Sequence, residues 1–185
     1  LDTDHLKKIR MGNIKARMRM IYLYNLAHKT GGIVLGTENK TEDMLSFFTI
    51  GGDEMSDFEP IKSLWKHEVY DLSDAICKNM GEDEKNALLS CINCDATDGL
   101  GISNTDLDQI LPNWKEHHTS TRSGYSEVDR IFMDYFNLIK DDGKEQTDYV
   151  KSRIAELEKT SVIKRYLTTE YKRNRPYIIG RHILS

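Results

Sequence analysis

Polar residues suited to phosphate chemistry are concentrated between residues 12 and 66 of this chain. The apolar segment 33–35 ends in Gly36-Thr37, and charged residues follow it at short intervals. These charged residues are Glu42, Asp53, Asp57 and Lys66. Ligands of open α/β sheets bind at the carboxyl ends of parallel strands. A Gly-Thr turn followed by carboxylates and a lysine therefore indicates a site for phosphates and a divalent cation.

The same residues also have plain structural interpretations. Thr37 suits the cap of the following helix, and Glu42 suits a solvated carboxylate on that helix. Arg17 suits a solvated position on an earlier helix. Taken without further information, the spacing favours the structural role for both Thr37 and Glu42.

The hydrophobic periodicity predicts the elements that position these residues. Apolar residues recur at helical spacing before Gly31-Gly32, and the wholly apolar run 33–35 suits a buried parallel strand. The predicted helices cover 4–29, 41–48, 66–79, 81–90, 125–140 and 146–171, the predicted strands 33–35 and 61–64, and a loop-like stretch 91–123. Two strands cannot form a sheet covered on both faces, so the pattern predicts that part of a parallel sheet is missing.

Composition argues against several classes of function. The chain has 185 residues and a net charge of −4, whereas general nucleic-acid binders carry a basic face. No apolar run approaches the roughly 18 residues of a membrane helix, and no secretory signal opens the chain. Three cysteines without a disulfide framework indicate a reducing compartment, so we expect a cytoplasmic protein. Cys91 and Cys94 lack two further nearby zinc ligands and are interpreted as reduced thiols.

Six short motifs, taken in order, carry a resemblance to a known family. They are GNIKARMRM at 12–20, LGT(x)4E at 35–42, FFT at 47–49, GD(x)3D(x)2P at 52–60, LWK at 64–66 and TDGLG at 97–101. A lone Gly-Thr or Gly-Asp pair would carry no information. The ordered combination resembles NAD synthetase of the ammonia-dependent type, over residues 8 to 176.

The resemblance implies a fold, a reaction and a set of partners. The fold would be a single α/β domain over 1–185, a Rossmann-like parallel sheet layered between helices (adenine-nucleotide alpha-hydrolase-like) with its amino-terminal strands missing. The reaction would be ATP-dependent amidation of deamido-NAD to NAD with ammonia, through an acyl adenylate, with release of AMP and pyrophosphate. Mg²⁺ would be the cofactor. The protein would be a homodimer that contacts its partner through helix 4–29, without nucleic-acid or membrane partners.

The resemblance also assigns roles to individual residues. Thr37, Lys66 and Thr97 would bind ATP, and Glu42 would ligate Mg²⁺. Arg17, Asp57, Tyr171 and Lys172 would bind deamido-NAD. Asp53 would be the catalytic residue, near the ammonia position.

The sequence departs from the family pattern in three ways. Ile50 stands where the family has a polar residue or lysine that contacts the dinucleotide, which removes one substrate contact. Tyr171 replaces a histidine, so it can stack and donate a hydrogen bond but does not titrate near neutral pH. The Ser-Gly-Gly-x-Asp-Ser turn that binds pyrophosphate in the family does not occur in these residues.

These departures leave alternatives open. The chain could be an inactive fragment or remnant of the fold that binds a dinucleotide or a partner, or the synthetase part of a glutamine-dependent NAD synthetase. A nucleic-acid module that uses the basic tail 164–181 is least favoured, because the chain is acidic overall. Core packing within one subunit explains the apolar residues of helix 4–29 nearly as well as a dimer does.

Overall fold

The computed structural model describes residues 3–97, 99–140 and 147–174 of the chain. These residues form the helices α1 (Asp4–Thr30), α2 (Lys40–Leu45), α3 (Lys66–Cys77), α4 (Glu82–Ile92), α5 (Leu107–Ile110), α6 (Trp114–His117), α7 (Thr121–Ile139), α8 (Asp148–Leu157), α9 (Ser161–Thr168) and α10 (Glu170–Arg173). Two extended segments lie between α1 and α3, and they meet where Leu35 and Phe58 form a parallel β-bridge. No helix in the described part of the chain is long and apolar enough to cross a bilayer.

The core is built around α7, whose buried residues recur at helical spacing. Tyr125, Val128 and Phe132 are all inaccessible or nearly so. Phe132 stacks on Trp65 with ring centroids 5.8 Å apart, and Tyr166 of α9 meets Phe132 edge-on at 5.8 Å. Aromatic pairs of this geometry add stability beyond the apolar area that they bury. The core therefore anchors the amino-terminal end of α3 and all of α9 on α7.

α1 contrasts with α7 because most of its apolar side chains are exposed. Its described residues include only Ala16 and Met20 as buried positions. The exposed large apolar side chains of α1 are Leu6, Met11, Ile14, Met18, Ile21, Tyr22, Leu23 and Leu26. Core packing within this chain therefore does not account for the apolar content of α1.

The structure confirms the predicted helices α1, α3, α4 and α7 to within a few residues but contradicts two other predictions. The predicted strand 61–64 is wrong, because this segment is a turn in which the Leu64 N–H donates to the Ile61 carbonyl at 3.0 Å. Phe58 forms the bridge instead. The single helix predicted over 146–171 is also wrong. The Thr160 side chain caps a new helix by accepting the N–H of Ile163, which divides the segment into α8, α9 and α10.

The helix predicted over 41–48 ends early, and residues beyond Asn174 lie outside the described part of the chain. Ser46 adopts a left-handed conformation with φ of 55°, which ends α2 at Leu45. The carboxyl-terminal part of the basic tail, residues 175–181, is not among the described residues. The predicted parallel sheet is represented, within the described ranges, by the single bridge at Leu35.

Candidate functional site

A cavity of about 400 Å³, which we call the α1 cleft, lies between α1 and the segment 46–53. Asp53, the predicted catalytic residue, and Lys172, a predicted deamido-NAD residue, both line it although they come from distant parts of the chain. Arg19 and Arg165 line the cleft as well. Cationic side chains therefore outnumber the carboxylate, which suits an anionic ligand.

The loop that carries Asp53 is fixed to its own backbone and to α1. The Asp53 Oδ1 accepts the N–H of Thr49 at 2.6 Å. The Thr49 hydroxyl donates to the Asn13 side chain at 2.8 Å, and the Arg17 Nε donates to the Ile50 carbonyl at 3.0 Å. Arg17 thus holds the loop but does not line the cleft. The departure at Ile50 leaves this contact intact because it uses the backbone.

Lys172 is held below the aromatic ring of Phe48. Its Nζ donates to the carbonyl of Ser46 at 2.6 Å and to the carbonyl of Phe48, and it lies 4.4 Å from the Phe48 ring centroid. Burial, followed by the positive charge of Arg165, lowers the pKa of Lys172 to about 8. Lys172 is therefore a cation at neutral pH. Its neighbour Tyr171 is half exposed and does not line the cleft.

A smaller cavity of about 170 Å³ adjoins the α1 cleft and shares Asp53 and Arg19 with it. Thr37 lines this smaller cavity just beyond the bridge residue Leu35. Asp57 lies elsewhere, since its Oδ2 accepts the N–H of Val34 at 2.8 Å and so joins the two extended segments. The structure thus brings Thr37, Asp53 and Lys172 to one region, whereas Asp57 has a structural role as the acceptor of the Val34 N–H.

Glu38, next to Thr37, is a buried acid that the sequence analysis missed. Its Oε2 accepts a hydrogen bond from Lys62 at 2.6 Å. Within the described residues, its Oε1 is buried without a hydrogen-bond partner. Burial raises the pKa of Glu38 to about 7, although the ion pair with Lys62 opposes the rise. Its position after a Gly-Thr turn gave no signal, because only the fold shows that this glutamate turns inward.

Glu42 and Lys66, predicted to bind Mg²⁺ and ATP, form an ion pair with each other at the starts of α2 and α3. The Glu42 Oε2 also accepts the N–H of Asn39 at 3.1 Å, and the Asn39 side chain accepts the N–H of Glu42 at 3.1 Å. This reciprocal arrangement is a capping box, so the structural interpretation holds for one oxygen of Glu42. The other oxygen, Oε1, contacts a cation, the Lys66 ammonium group.

A single carboxylate fits Mg²⁺ only as a shared site. Within the described residues, no group of three or more His, Cys, Asp or Glu side chains could hold a metal. Mg²⁺ commonly takes one or two protein carboxylates and completes its shell with phosphate oxygens and water. Glu42 can supply such a ligand once Lys66 moves to another anion.

Thr97 lines a third cavity, of about 580 Å³, against the amino-terminal half of α1. Lys7, Lys8 and Lys15 line the same cavity. Arg19 lines this cavity, the α1 cleft and the smaller cavity alike, and it was missed as a site residue. The helical spacing of the sequence could have indicated Arg19. Gly12, Ala16 and Arg19 share one face of α1, and the two small residues let loops approach the helix there.

A cationic cleft beside a Gly-Thr turn, at the end of an extended segment with parallel pairing, is the arrangement of α/β proteins that bind anionic ligands. A sequence profile of the family described as NAD synthase matches residues 2–124 of this chain. The chain belongs to the NAD synthase family.

Individual relatives agree with this assignment. The NH(3)-dependent NAD(+) synthetase of Thermoplasma acidophilum is 33% identical over 171 residues, which are 92% of this chain and 58% of that protein. The enzyme of the same description from Pyrococcus horikoshii is 43% identical over 107 residues, 55% of this chain and 40% of that protein. The chain thus spans a little over half the length of the first of these relatives.

Solved structures show the same fold. The NMN synthetase of Francisella tularensis superposes with a TM-score of 0.57 at 24% identity, covering 94% of this chain and 57% of that one.

Proposed function

We propose that this chain is the substrate-binding part of an ammonia-dependent NAD synthetase, which amidates deamido-NAD to NAD with ATP and ammonia. The observation that carries the proposal is that Asp53 and Lys172 line one cationic cleft in a chain of the NAD synthase family. The names of the relatives support ammonia as the nitrogen source over glutamine. The reaction would pass through an acyl adenylate and release AMP and pyrophosphate.

This reaction requires the protein to bind two anionic substrates at the same time. The nicotinate carboxylate attacks the α-phosphate of ATP, so both groups must be held in line while their charges are compensated. In our proposal Arg19 and Lys172 compensate the phosphates of deamido-NAD in the α1 cleft, and Arg17 and Tyr171 contact the same substrate at its exposed side. Asp57 would reach it from the second extended segment.

ATP would be bound from the other side of the Gly-Thr turn. Thr37 donates a hydrogen bond to the nucleotide, while Lys66 meets its phosphates as a point charge and Thr97 approaches them from its loop. Glu42 would hold Mg²⁺, which neutralises phosphate charge when bound. Glu42 and Lys66 pair with each other, so their opposite charges would be taken up by Mg²⁺ and by phosphate when MgATP binds.

Ammonia would be received beside Asp53. Ammonium is the main form of ammonia at neutral pH, so a carboxylate is needed to bind the cation and accept its proton before attack on the adenylate. The Thr49 N–H fixes the Asp53 carboxylate against the loop, in a cleft that otherwise carries positive charge. In our proposal Asp53 is therefore the catalytic acid–base residue.

The parallel bridge and the exposed apolar residues also support expectations about the sheet and the assembly of the whole protein. We propose that the bridge at Leu35 is part of a Rossmann-like parallel sheet between helices, of the adenine-nucleotide alpha-hydrolase kind, and that the protein is a cytoplasmic homodimer. The exposed segment residues Ile33, Leu35 and Phe58 are 67%, 57% and 56% accessible, which leaves room for neighbouring strands.

Separate titrations of the purified chain with MgATP and with deamido-NAD test the proposal by calorimetry. Lys66→Met should weaken MgATP binding and leave deamido-NAD binding within about twofold, while Arg17→Ala should do the reverse. Equal effects of Arg17→Ala on both ligands would identify a structural arginine. Failure of the unsubstituted chain to bind either ligand at millimolar concentration would refute the proposal.

The alternative of a remnant that binds without turnover is tested on this polypeptide itself. The chain spans 58% of the length of the Thermoplasma relative, and the pyrophosphate-binding turn does not occur in its sequence. We expect this 185-residue polypeptide alone to make NAD at a negligible rate. Turnover at the rate of an intact synthetase would exclude the remnant. An intact mass well above 21.4 kDa from the native source would show that these residues are part of a longer enzyme.

A further inference from the structure

A buried network of hydrogen bonds joins α2, α3 and α7 outside the cavities described above. Asp129 of α7 is completely buried, and its Oδ1 accepts a hydrogen bond from the Thr41 hydroxyl. Its Oδ2 accepts the backbone N–H of His67 at 2.8 Å and contacts the His67 Nδ1 at 2.9 Å. The Thr41 oxygen in turn accepts the backbone N–H of Lys66 at 2.8 Å.

The network compensates a group that is costly to bury. Burial raises the pKa of Asp129, and the hydrogen bonds from Thr41 and His67 oppose that rise. The carboxylate also lies at the amino-terminal end of α3, where backbone N–H groups favour negative charge. A buried carboxylate with this many donors is held in one position, and its donors are held with it.

We infer that Asp129 is a positioning residue for Glu42 and Lys66, acting through Thr41 and the amino-terminal end of α3. Thr41 directly precedes Glu42, and Lys66 directly precedes His67. The network therefore fixes the residue beside each member of the ion pair, and so sets the distance between the starts of α2 and α3. This inference rests on the proposed role of Glu42 and Lys66 in MgATP binding.

A second backbone contact supports the same geometry. The Lys40 N–H donates to the Leu64 carbonyl at 2.8 Å, which joins the start of α2 to the turn before α3. Neither this contact nor the caps formed by Glu42 and Glu68 involves α7, whereas the buried Asp129 carboxylate bonds to both Thr41 and His67 and so joins α2 and α3 to α7. The six sequence motifs did not predict this role, because none of them includes Asp129.

Four variants separate positioning from simple support of the core. Thr41→Val keeps the shape of the side chain and removes the hydroxyl, and Thr41→Ser restores it. Asp129→Asn keeps the size of the side chain and replaces one acceptor oxygen by a donor. Asp134→Asn is the matched control, since Asp134 lies on the same helix, pairs with Arg130 and is exposed.

The first readout uses the ligand-free chain. Nuclear magnetic resonance relaxation should show that the Lys66 ammonium group gains mobility in Thr41→Val and Asp129→Asn. In Thr41→Val the Lys66 amide proton should also move upfield, because its hydrogen bond to the Thr41 oxygen is lost. Thr41→Ser and Asp134→Asn should keep the original signals. An unchanged Lys66 in a folded Thr41→Val or Asp129→Asn chain would overturn the inference. Unfolding of both variants would also overturn it, because the network would then serve the fold as a whole.

The second readout is ligand binding by the same proteins. Thr41→Val should weaken MgATP binding about tenfold to a hundredfold, as the loss of groups that orient metal and phosphate ligands commonly does. Deamido-NAD binding should stay unchanged, which a general loss of structure would not permit. If the unsubstituted chain binds no MgATP, the proposed function is refuted, and the Lys66 signals in the ligand-free chain alone decide whether Asp129 is a positioning residue.

Discussion

Two glutamates of this chain occupy the same capping position and show how a structural and a functional role can share one side chain. The Glu68 Oε2 accepts the N–H of Trp65 at 2.7 Å, as the Glu42 Oε2 accepts that of Asn39. Glu42 in addition forms an ion pair with Lys66. The helix cap accounts for the Oε2 atom of Glu42, and the Oε1 atom holds the Lys66 ammonium group near the start of α2.

Glu42→Gln is therefore expected to weaken MgATP binding while the helix cap survives. Glutamine retains one acceptor oxygen for the Asn39 N–H and loses the charge that a divalent cation needs. We expect MgATP affinity to fall about tenfold or more, and binding of ATP with the metal chelated to change little. Calorimetric titration with and without Mg²⁺ measures both values.

Glu68→Gln is the matched control for this prediction, because it alters a capping glutamate outside the proposed site. It should leave MgATP affinity and thermal stability near those of the unsubstituted chain. Magnesium dependence that persists unchanged in Glu42→Gln would remove Glu42 from the proposed site.

Lys172 gives the chain a pH dependence of stability in the alkaline range. Its pKa is lowered from 10.5 to about 8 in the folded chain, so the unfolded chain binds more protons between these values. The free energy of unfolding should therefore rise with pH across this window, and the contribution of Lys172 should be lost as the pH falls through 8. Urea denaturation of the chain and of Lys172→Met at pH 7.5 and 9.5 should show the rise only where the lysine is present.

Lys164→Met provides the comparison, because Lys164 lies on α9 and is exposed. Its effect on the free energy of unfolding should be the same at both pH values. A parallel change in the two methionine variants would show that Lys172 is not responsible. Deamido-NAD binding should weaken above pH 8, as the cation in the cleft is lost.

The resemblance predicted Thr37 as an ATP residue, Lys172 as a deamido-NAD residue and Asp53 as the catalytic residue, and in the structure the three line adjoining cavities. Glu38 and Asp129 were not predicted. Both are buried acids on segments whose pattern is that of an ordinary turn or an ordinary amphipathic helix. Their burial depends on partners far away in sequence, and spacing alone carries no information about such partners.

At the scale of elements, the extended segments 33–37 and 56–59 approach each other closely at Gly36. A Cβ added to Gly36 would lie 2.4 Å from the Ser56 Oγ and 2.7 Å from the Glu59 Cγ. The close approach allows the Gly36 N–H to donate to the Phe58 carbonyl at 2.8 Å. The Gly-Thr turn therefore serves the pairing of segments as well as the cavity that Thr37 lines.

Gly36→Ala should separate these segments. Overpacking of this kind costs about 1–3 kcal/mol of the free energy of unfolding. Chemical denaturation should detect the loss, and deamido-NAD binding should fall because Asp57 moves with its segment. Gly81→Ala is the control, since the nearest atom to its added Cβ is 3.8 Å away. A Gly36→Ala chain as stable as the unsubstituted chain would contradict the close approach.

Elements with strong helical periodicity were predictable, and short apolar runs were not. α7 repeats buried residues along its whole length, so its existence followed from sequence. The turn 61–64 has the apolar content of a short strand. Its backbone hydrogen bonds, however, are formed within the turn and, at the Leu64 carbonyl, with the Lys40 N–H. The break at Thr160 escaped prediction because the apolar spacing continues on both sides of it, while a threonine cap is a local competitor of the longer helix.

At the scale of the whole molecule, α1 stands out because the described residues leave much of its apolar surface uncovered. Its exposed apolar side chains include Met18, Ile21 and Tyr22, which are 59%, 65% and 65% accessible. Contiguous apolar surface of this kind marks an interaction site on soluble proteins. The same helix carries Arg19 and Arg17 towards the cleft and the loop that bears Asp53. Contact with a second copy would therefore reinforce the site as well as cover apolar surface.

Ile21→Glu should convert the proposed homodimer into a monomer. A carboxylate at the centre of an apolar interface loses hydration without gaining a partner, which opposes association. Sedimentation equilibrium should give twice the 21.4 kDa of one chain for the unsubstituted protein and the mass of one chain for the variant. Tyr149→Glu on α8, where the tyrosine is 76% accessible, should leave the mass unchanged. A monomeric unsubstituted chain would show that the surface of α1 is covered in some other way.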